Sequence, residues 1–521
     1  MELLVATALA VRRATAEADT LFEGVDLRLA AGSRVGLVGA NGSGKSTLLR
    51  LLARHALPDE GAVVRAPGVR TALLEQDAGR ALVGEPGSVW QVAARALAEV
   101  ERIEGRLRRL EVELSEADPA LRASVSAAHD ALAVEHERHG GYGAASQVRE
   151  VLAALGFGAG RYAQDVSELS DGERQRLALA AVLTSSVDVL LLDEPTNHLD
   201  VTARAWLERH LSRRAGALVI VSHDRALLDA ATNGTAFLTA AGLKLVAAVY
   251  GKAARSVSAA ESQAARRLRE MEKEAARLER VAAELAAHGA KAQARRRRAT
   301  RDSATLRTRA GALTPTPDAA RSVRLGASFP RRDGARAGAA AGAAESAAPD
   351  RRRAGRSTRG QLLEAEHLHV AWLLDDVSVR IDAGDRIALL GPNGSGKSTL
   401  LALLAGERAG DDPRQRLWYA PAMKLVSVDQ RTRGLRPGVA VLDQARTRLG
   451  DEAGTRVLAA SGVPFAAWSR PPDELSGGER ARVGLALALA QPFDLLFLDE
   501  PDNDLDLAAV EALEAGLVST L

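Results

Sequence analysis

Cysteine is absent from the 521-residue chain, which excludes disulfides and thiolate metal centres and leaves the redox compartment open. Lysine is scarce, 7 residues against 62 arginines. Because that skew pervades the whole chain, it reads as base composition of the genome rather than as recognition chemistry. No window reaches 18 uninterrupted apolar residues, so membrane-crossing helices are not expected. Met1 to Val11 lacks a basic leader, and the expected location is cytoplasmic. Excess charge is also missing: the formal net is only +2. What remains is a 46% apolar composition, that of a globular protein with a length suited to about three or four domains.

Two stretches organise the rest. Gly39 to Thr47 reads Gly-Ala-Asn-Gly-Ser-Gly-Lys-Ser-Thr, and Gly391 to Thr399 reads Gly-Pro-Asn-Gly-Ser-Gly-Lys-Ser-Thr. Each fits the phosphate-binding loop pattern, and each lies between an apolar run (Arg34 to Val38, Arg386 to Leu390) and a leucine-rich one. That is the strand, loop and helix context the pattern requires. The loops are offset by 352 residues, and Gly32 with Gly384 and Val25 with Val377 keep that offset. Gln76 and Gln430 follow. Leu169-Ser170-Asp171-Gly172-Glu173 then matches Leu475-Ser476-Gly477-Gly478-Glu479, and 23 residues after each serine an apolar run ends in Asp193 or Asp499, followed by Glu-Pro. The chain is an internal duplication of a whole domain.

The halves differ in one interval. Gln76 to Ser170 is 94 residues and Gln430 to Ser476 is 46. The additional residues lie near Val92 to Gly140, where Leu97, Val100, Ile103, Leu107, Leu110 and Leu114 recur at helical spacing. Asp118-Pro119 breaks the pattern, and Leu121, Val125, Ala128 and Leu132 resume it. This predicts a projecting helical hairpin. Between the repeats, Ser258 to His288 is expected to be a coiled-coil-like helix with Leu268, Met271, Ala275, Leu278, Val281 and Leu285 on one side. A basic run, Arg295 to Arg298, follows, and 334–359 is alanine- and glycine-rich and not expected to take up secondary structure. Lys252 to Gly360 holds 26 basic and 11 acidic residues, a net of +15, which leaves −13 for the rest. Segregated charge of this kind points to a polyanionic partner at the linker.

Residue types define the chemistry. In a phosphate loop the glycines (Gly39, Gly42, Gly44; Gly391, Gly394, Gly396), with Asn41 and Asn393, let the backbone wrap a phosphate. The following helix, with Thr47 or Thr399 near its start, offers its positive end. Lys45 and Lys397 are suited to the outer phosphates. Ser46 and Ser398 suit Mg²⁺, which Asp193 and Asp499 would hold, with Gln76 and Gln430 positioning ion and water. Glu194 and Glu500 are placed to polarise the attacking water. His223 closes the apolar run Val219 to Val221 and is the candidate for contact with the γ-phosphate. Phe22, with Trp372 near the equivalent position, is a candidate for adenine stacking; a core role is the alternative.

With both halves holding these motifs, the chain resembles ATP-binding-cassette ATPases. Glu194-Pro195-Thr196-Asn197-His198-Leu199-Asp200 is similar to the sequence typical of the ABC-F class. The expected fold is α/β: two P-loop ABC-type nucleotide-binding domains in tandem, with an inserted helical arm and a helical, partly disordered basic linker. The expected bounds are 1–250 with the arm at about 92–140, a linker at 251–360, and a C-terminally incomplete second domain at 361–521. The resemblance implies two ATPs with Mg²⁺, sandwiched by intramolecular pairing of the cassettes. Lys45, Asp193, Glu194 and His223 would share a site with Ser476, Gly478 and Glu479. Lys397, Asp499 and Glu500 would share one with Ser170, Gly172 and Glu173, and Asp200 and Asp506 would lie at the interface. It further implies hydrolysis of ATP and binding at the tRNA exit site of the 70S ribosome, contacting ribosomal RNA and tRNA, in antibiotic resistance or in translation. The arginine-rich composition resembles that of high-GC actinobacterial proteins. The alternative is an ATP-binding subunit energising an efflux transporter, against which the basic linker and the arm argue. A DNA-repair ATPase would require a long coiled coil or zinc-hook cysteines.

Three departures from the class pattern stand out. Asp171 replaces the first glycine of the second signature. Asp502 and Asp504 stand where the first half has Thr196 and His198, adding negative charge near a triphosphate. The second half holds no counterpart of His223, so its site is expected to hydrolyse slowly or only bind, with a sheet strand left unpaired.

Overall fold

The runs Val189–Asp193, apolar up to its terminal aspartate, and Ala217–Val221, apolar throughout, show the pattern of strands covered on both faces. The computed structural model describes residues 2–12, 20–116, 118–138, 141–286, 300–305, 307–308, 360–430 and 433–520. In it these two runs are the buried centre of a six-stranded sheet. With β3 (Arg34–Val38), β5 (Thr71–Leu74), β6 (Val189–Asp193), β7 (Ala217–Val221), β8 (Gly234–Thr239) and β9 (Gly242–Val246), the order is β5-β6-β7-β3-β8-β9, all parallel except β9. A second, antiparallel sheet has β1 (Glu2–Arg12) between β2 (Thr20–Ala30) and β4 (Glu60–Arg65). Helix α1 (Lys45–Ala53) packs with both sheets in one core, where Leu48, Leu49, Leu51 and Leu52 meet Leu4, Leu29, Leu37, Leu191 and Val219. Each such leucine contributes roughly 2 kcal/mol by leaving water. Phe22 is fully buried in this core.

The inserted segment is α-helical. After the short α2 (Val89–Ala93), α3 (Leu97–Glu116) and α4 (Pro119–Arg138) form a hairpin closed by Ile103, Leu107 and Leu132. Proline opens α4 where its missing N–H costs nothing. The stripe on α4 is thinner than its spacing suggested, since Leu121 and Ala128 are exposed. Helices α5 (Ala144–Ala154), α6 (Asp171–Leu183), α7 (Val201–Arg213) and α8 (Arg225–Ala231) complete the βα alternation. Helix α9 (Tyr250–Ala286) begins eight residues before the expected linker helix. Its Ala275 is buried, and Glu279 accepts hydrogen bonds from Ser303 Oγ (3.1 Å) and Arg307 Nη2 (2.9 Å). The basic run 295–298 and the segment 334–359 lie outside the described residues.

The chain divides into two compact units. The first takes in the described residues up to Thr308 except 154–156 and 196–206, which group with Gly360 onward in the second. In the second unit β10 (Gln361–Val370) lies between β11 (Leu374–Asp382) and β12 (Arg416–Tyr419), and β13 (Leu425–Val428) runs parallel to β14 (Leu495–Leu498). Five helices accompany them: α10 (Lys397–Leu404), α11 (Val441–Leu449), α12 (Asp451–Ala460), α13 (Gly477–Ala490) and α14 (Leu507–Thr520). The run Arg386–Leu390, expected as a strand, joins no ladder, and its Ile387 and Leu390 are 62% and 76% exposed. The reason is pairing. Among the described residues no strand pairs with this run, and an apolar run without partners is no strand. Among the described residues no helix is long and apolar enough to cross a membrane.

Candidate active site

In the first unit β5, β6, β7 and β3 are parallel neighbours, so the residues just past their C-terminal ends share one edge of the sheet. Gln76 follows β5, Asp193 and Glu194 end β6, His223 follows β7, and the phosphate loop follows β3. Four motifs scattered over 39–223 therefore meet because of strand order.

The loop itself is built to admit an anion. Gly42 and Gly44 have φ of 79° and 94°, a region that suits glycine. At Gly39 a Cβ would fall 2.7 Å from Leu238 O and 2.8 Å from Ser43 Oγ. Gly44 is the N-cap of α1 and supplies no side-chain cap, so the first amides of the helix are left for a ligand. Ser43 Oγ is buried with no hydrogen-bond partner among the described residues, a second observation that fits a phosphate as its acceptor. Lys45 Nζ donates to Gly39 O (2.8 Å) and Ala40 O (3.1 Å), folded over the loop. The Ser46 hydroxyl binds the Asp193 carboxylate. A hydroxyl beside a carboxylate at the mouth of a phosphate loop is the oxygen donor set that suits Mg²⁺.

Asp193 and Glu194 are both buried. Burial raises the Asp193 pKa, opposed by Ser46, Lys45 and Arg50. Glu194 is pushed up to about 8, first by burial and then by Asp193. Its carboxylate accepts from the His223 amide (3.2 Å), with His223 Nε2 3.1 Å from Oε1. Its φ of 49° is uncommon for a residue with a side chain, and such strain concentrates at functional sites. Gln76 is exposed. Its loop is held by Gln175 on α6, which pattern reading missed: Nε2 donates to Gln76 O (2.8 Å) and Oε1 accepts from Gly79 N (2.7 Å). A buried glutamine among the apolar positions of a helix was the available signal.

Each signature is a helix N-terminus with a capping box. Ser170 and Ser476 are N-caps, accepting from Glu173 N and Glu479 N (both 3.3 Å), while the glutamates accept from the serine amides (2.9 and 3.0 Å). Burial raises the Glu173 pKa, but the Ser170 amide and hydroxyl and Arg161 outweigh it, leaving it at about 2. Gly172 and Gly478 lie in the first turns of these helices. Asp171, the departure from glycine, pairs with Arg174 one turn on, so its charge is answered locally.

The second unit repeats the loop closely. Gly394 and Gly396 have φ of 78° and 90°, Gly396 is the uncapped N-cap of α10, and Lys397 Nζ donates to Gly391 O and Pro392 O (both 2.9 Å). Thr399 and Ser398 open α10 as Thr47 and Ser46 open α1. The carboxylates differ. Asp499 is half-buried and Glu500 exposed, with Glu500 Oε2 accepting from Gln430 Nε2 (2.8 Å) and from Asn503 Nδ2. Trp372 is fully exposed at the turn between β10 and β11.

Residues 22–197 and 374–503 match the protein-family profile described as ABC transporter. The chain is 35% identical to the tylosin resistance ATP-binding protein TlrC of Streptomyces fradiae, over 95% of this chain and 89% of that protein. It is 28% identical to the energy-dependent translational throttle protein EttA of Mycobacterium tuberculosis, over 98% and 86%. Among solved structures, the complex of archaeal ribosomal stalk protein aP1 with archaeal ribosome recycling factor aABCE1 matches with a TM-score of 0.56. That match is 17% identical, over 98% of this chain and 81% of that one, a likeness of fold. The loop that leaves helix amides for phosphate, present in both halves that the profile covers, places the chain in the ABC transporter family, as a two-cassette ATP-binding-cassette ATPase related to the ABC-F proteins.

Proposed function

We propose that the protein is an Mg-ATP-dependent ATPase that acts on the ribosome at its tRNA exit site, in protection from an antibiotic or in control of translation. The observation that carries this reading is the near full-length similarity to one protein named for tylosin resistance and another named for translational throttling. The +15 charge of residues 252–360 supports an RNA-facing linker. In the ATPase reaction Glu194 orients the attacking water and takes up its proton, and His223 steadies Glu194. Lys45 and the α1 amides hold the phosphates. Ser46 and Asp193, with Gln76, would hold Mg²⁺, which supplies charge neutralisation at the phosphates. Lys397, Ser398, Asp499 and Gln430 take the same roles in the second unit.

The test is co-sedimentation with 70S ribosomes in Mg-ATP. The double variant Glu194→Gln, Glu500→Gln is expected to stay on ribosomes, and replacing Arg295 to Arg298 by alanine in it is expected to flatten the fall of binding with salt. Recovery with membranes and not with ribosomes would establish the efflux-subunit reading instead. Protection is read separately, as restored translation in the presence of tylosin.

A further inference from the structure

Aligning the halves on Gln76 and Gln430 puts Gly79 opposite Arg433, and aligning them on Ser170 and Ser476 puts Gln175 opposite Ala481 and Ala178 opposite Gly484. These positions have exchanged bulk. In the first unit the loop residue must be glycine, because a Cβ at Gly79 would fall 2.7 Å from Gln175 N on α6. There the helix supplies the long polar side chain, Gln175, which holds the glutamine loop. In the second unit the helix is stripped to Ala481 and Gly484, where an added Cβ would lie 2.5 Å from Arg433 Cβ. The loop supplies the side chain.

Arg433 is fully buried, the largest such side chain among the described residues. It grips a different segment from Gln175: Nη1 donates to Glu500 O (3.0 Å) and Nη2 to Asn503 O (2.8 Å), with Asp504 Oδ2 at 3.9 Å. Its guanidinium spans the stretch where Glu500 and Asp504 hold φ of 44° and 67°, conformations that persist only where the surroundings over-determine them. Asp504 also lies against Gly477, at the positive end of α13. Burial pulls the Arg433 pKa below the usual arginine range, and Asp504, Asp429, Asp502 and Glu500 act against it. The planar guanidinium reaches two carbonyls three residues apart with two separate nitrogens, Nη1 and Nη2.

We propose that Arg433 is the positioning residue of the second nucleotide site, fixing the Glu500 backbone and offsetting the charge of Asp502 and Asp504 so that the unit can hold a triphosphate. The proposal rests on the second unit being a nucleotide site.

The test uses the full chain carrying Lys45→Ala, so that uptake reports the second unit, titrated calorimetrically with Mg²⁺ plus ATPγS and, separately, ADP. R433M is expected to weaken ATPγS about tenfold and ADP less than about threefold, because uncompensated carboxylates act most on the terminal phosphate. Adding D502T and D504H, the first half's residues, is expected to return ATPγS to within about threefold of the parent, a rescue that loss of packing alone does not give. An unchanged R433M, or a rescue variant as weak as R433M, overturns the assignment. Should R433M fail to fold, R433Q, which keeps a donor but no charge, decides by the same comparison: a loss that D502T with D504H reverses supports it, and no loss or an unreversed one overturns it. A Lys45→Ala parent that takes up no ATPγS would instead remove the second site itself, and the role of Arg433 with it.

Discussion

In the proposed reaction Glu194 is a base while buried beside another carboxylate, and the two demands set a pH dependence. Its pKa in the folded protein is raised from 4.5 to about 8, by burial and then by Asp193. Between those values the folded state holds a proton that the unfolded state has released. Folding stability contributed by this group is therefore complete below pH 4.5 and is lost as pH rises toward 8. Glu194→Gln, permanently neutral, is expected to remove that slope and to leave the nucleotide-free protein more stable than the parent at pH 8. Urea unfolding midpoints across the window measure it, and parallel slopes for parent and variant would show that Glu194 is not the group responsible. His223 bears on the same carboxylate through both its amide and its ring, which ties the strained turn after β6 to the end of β7.

At the scale of elements, the arm hairpin is the clearest case of structure made by local pattern. Ile103, Leu107 and Leu132 close α3 on α4, and buried His136 lies 3.2 Å from Glu104 Oε1 and edge-on to Tyr142 at 4.7 Å. Leu107→Ala is expected to weaken the hairpin by roughly 2 kcal/mol. Amide exchange should accelerate across 97–138 with ATP turnover of the isolated protein little changed; unaltered exchange would mean the hairpin draws its order from elsewhere. This element was legible because helical spacing and the Asp118-Pro119 break are properties of neighbouring residues. So were the phosphate loops and signature caps, whose spacing is the chemistry. Other features depend on what a residue packs against. Arg386–Leu390 has the composition of a strand but no partners among the described residues, Phe22 reads equally as a stacking or a core ring and fills the core, and Gln175 and Arg433 acquire their roles only through burial. The exchange of Gly79 and Arg433 was visible in the aligned halves, but its meaning required the Cβ distances.

Within the whole molecule, one phosphate-loop architecture is used twice with different carboxylates beside it. The phosphate loops agree, Gly42 with Gly394 at φ of 79° and 78°, and Lys45 with Lys397 in their carbonyl contacts, so both units are equipped to hold nucleotide. The carboxylates proposed to act on water differ. Glu194 is buried and met by His223, where low dielectric strengthens a base's pull on its substrate, while Glu500 is exposed and its Oε2 already accepts from Gln430 and Asn503. Steady-state turnover should therefore report the first unit: Glu194→Gln is expected to lower kcat by about a hundredfold or more, the usual worth of a general base, and Glu500→Gln by less than about threefold. Phosphate release, measured beside equilibrium binding of ATPγS to confirm that each variant still fills both loops, makes the comparison. Equal losses from the two substitutions would mean that the units fire as one, and that the difference in burial between Glu194 and Glu500 does not divide the work of hydrolysis between them.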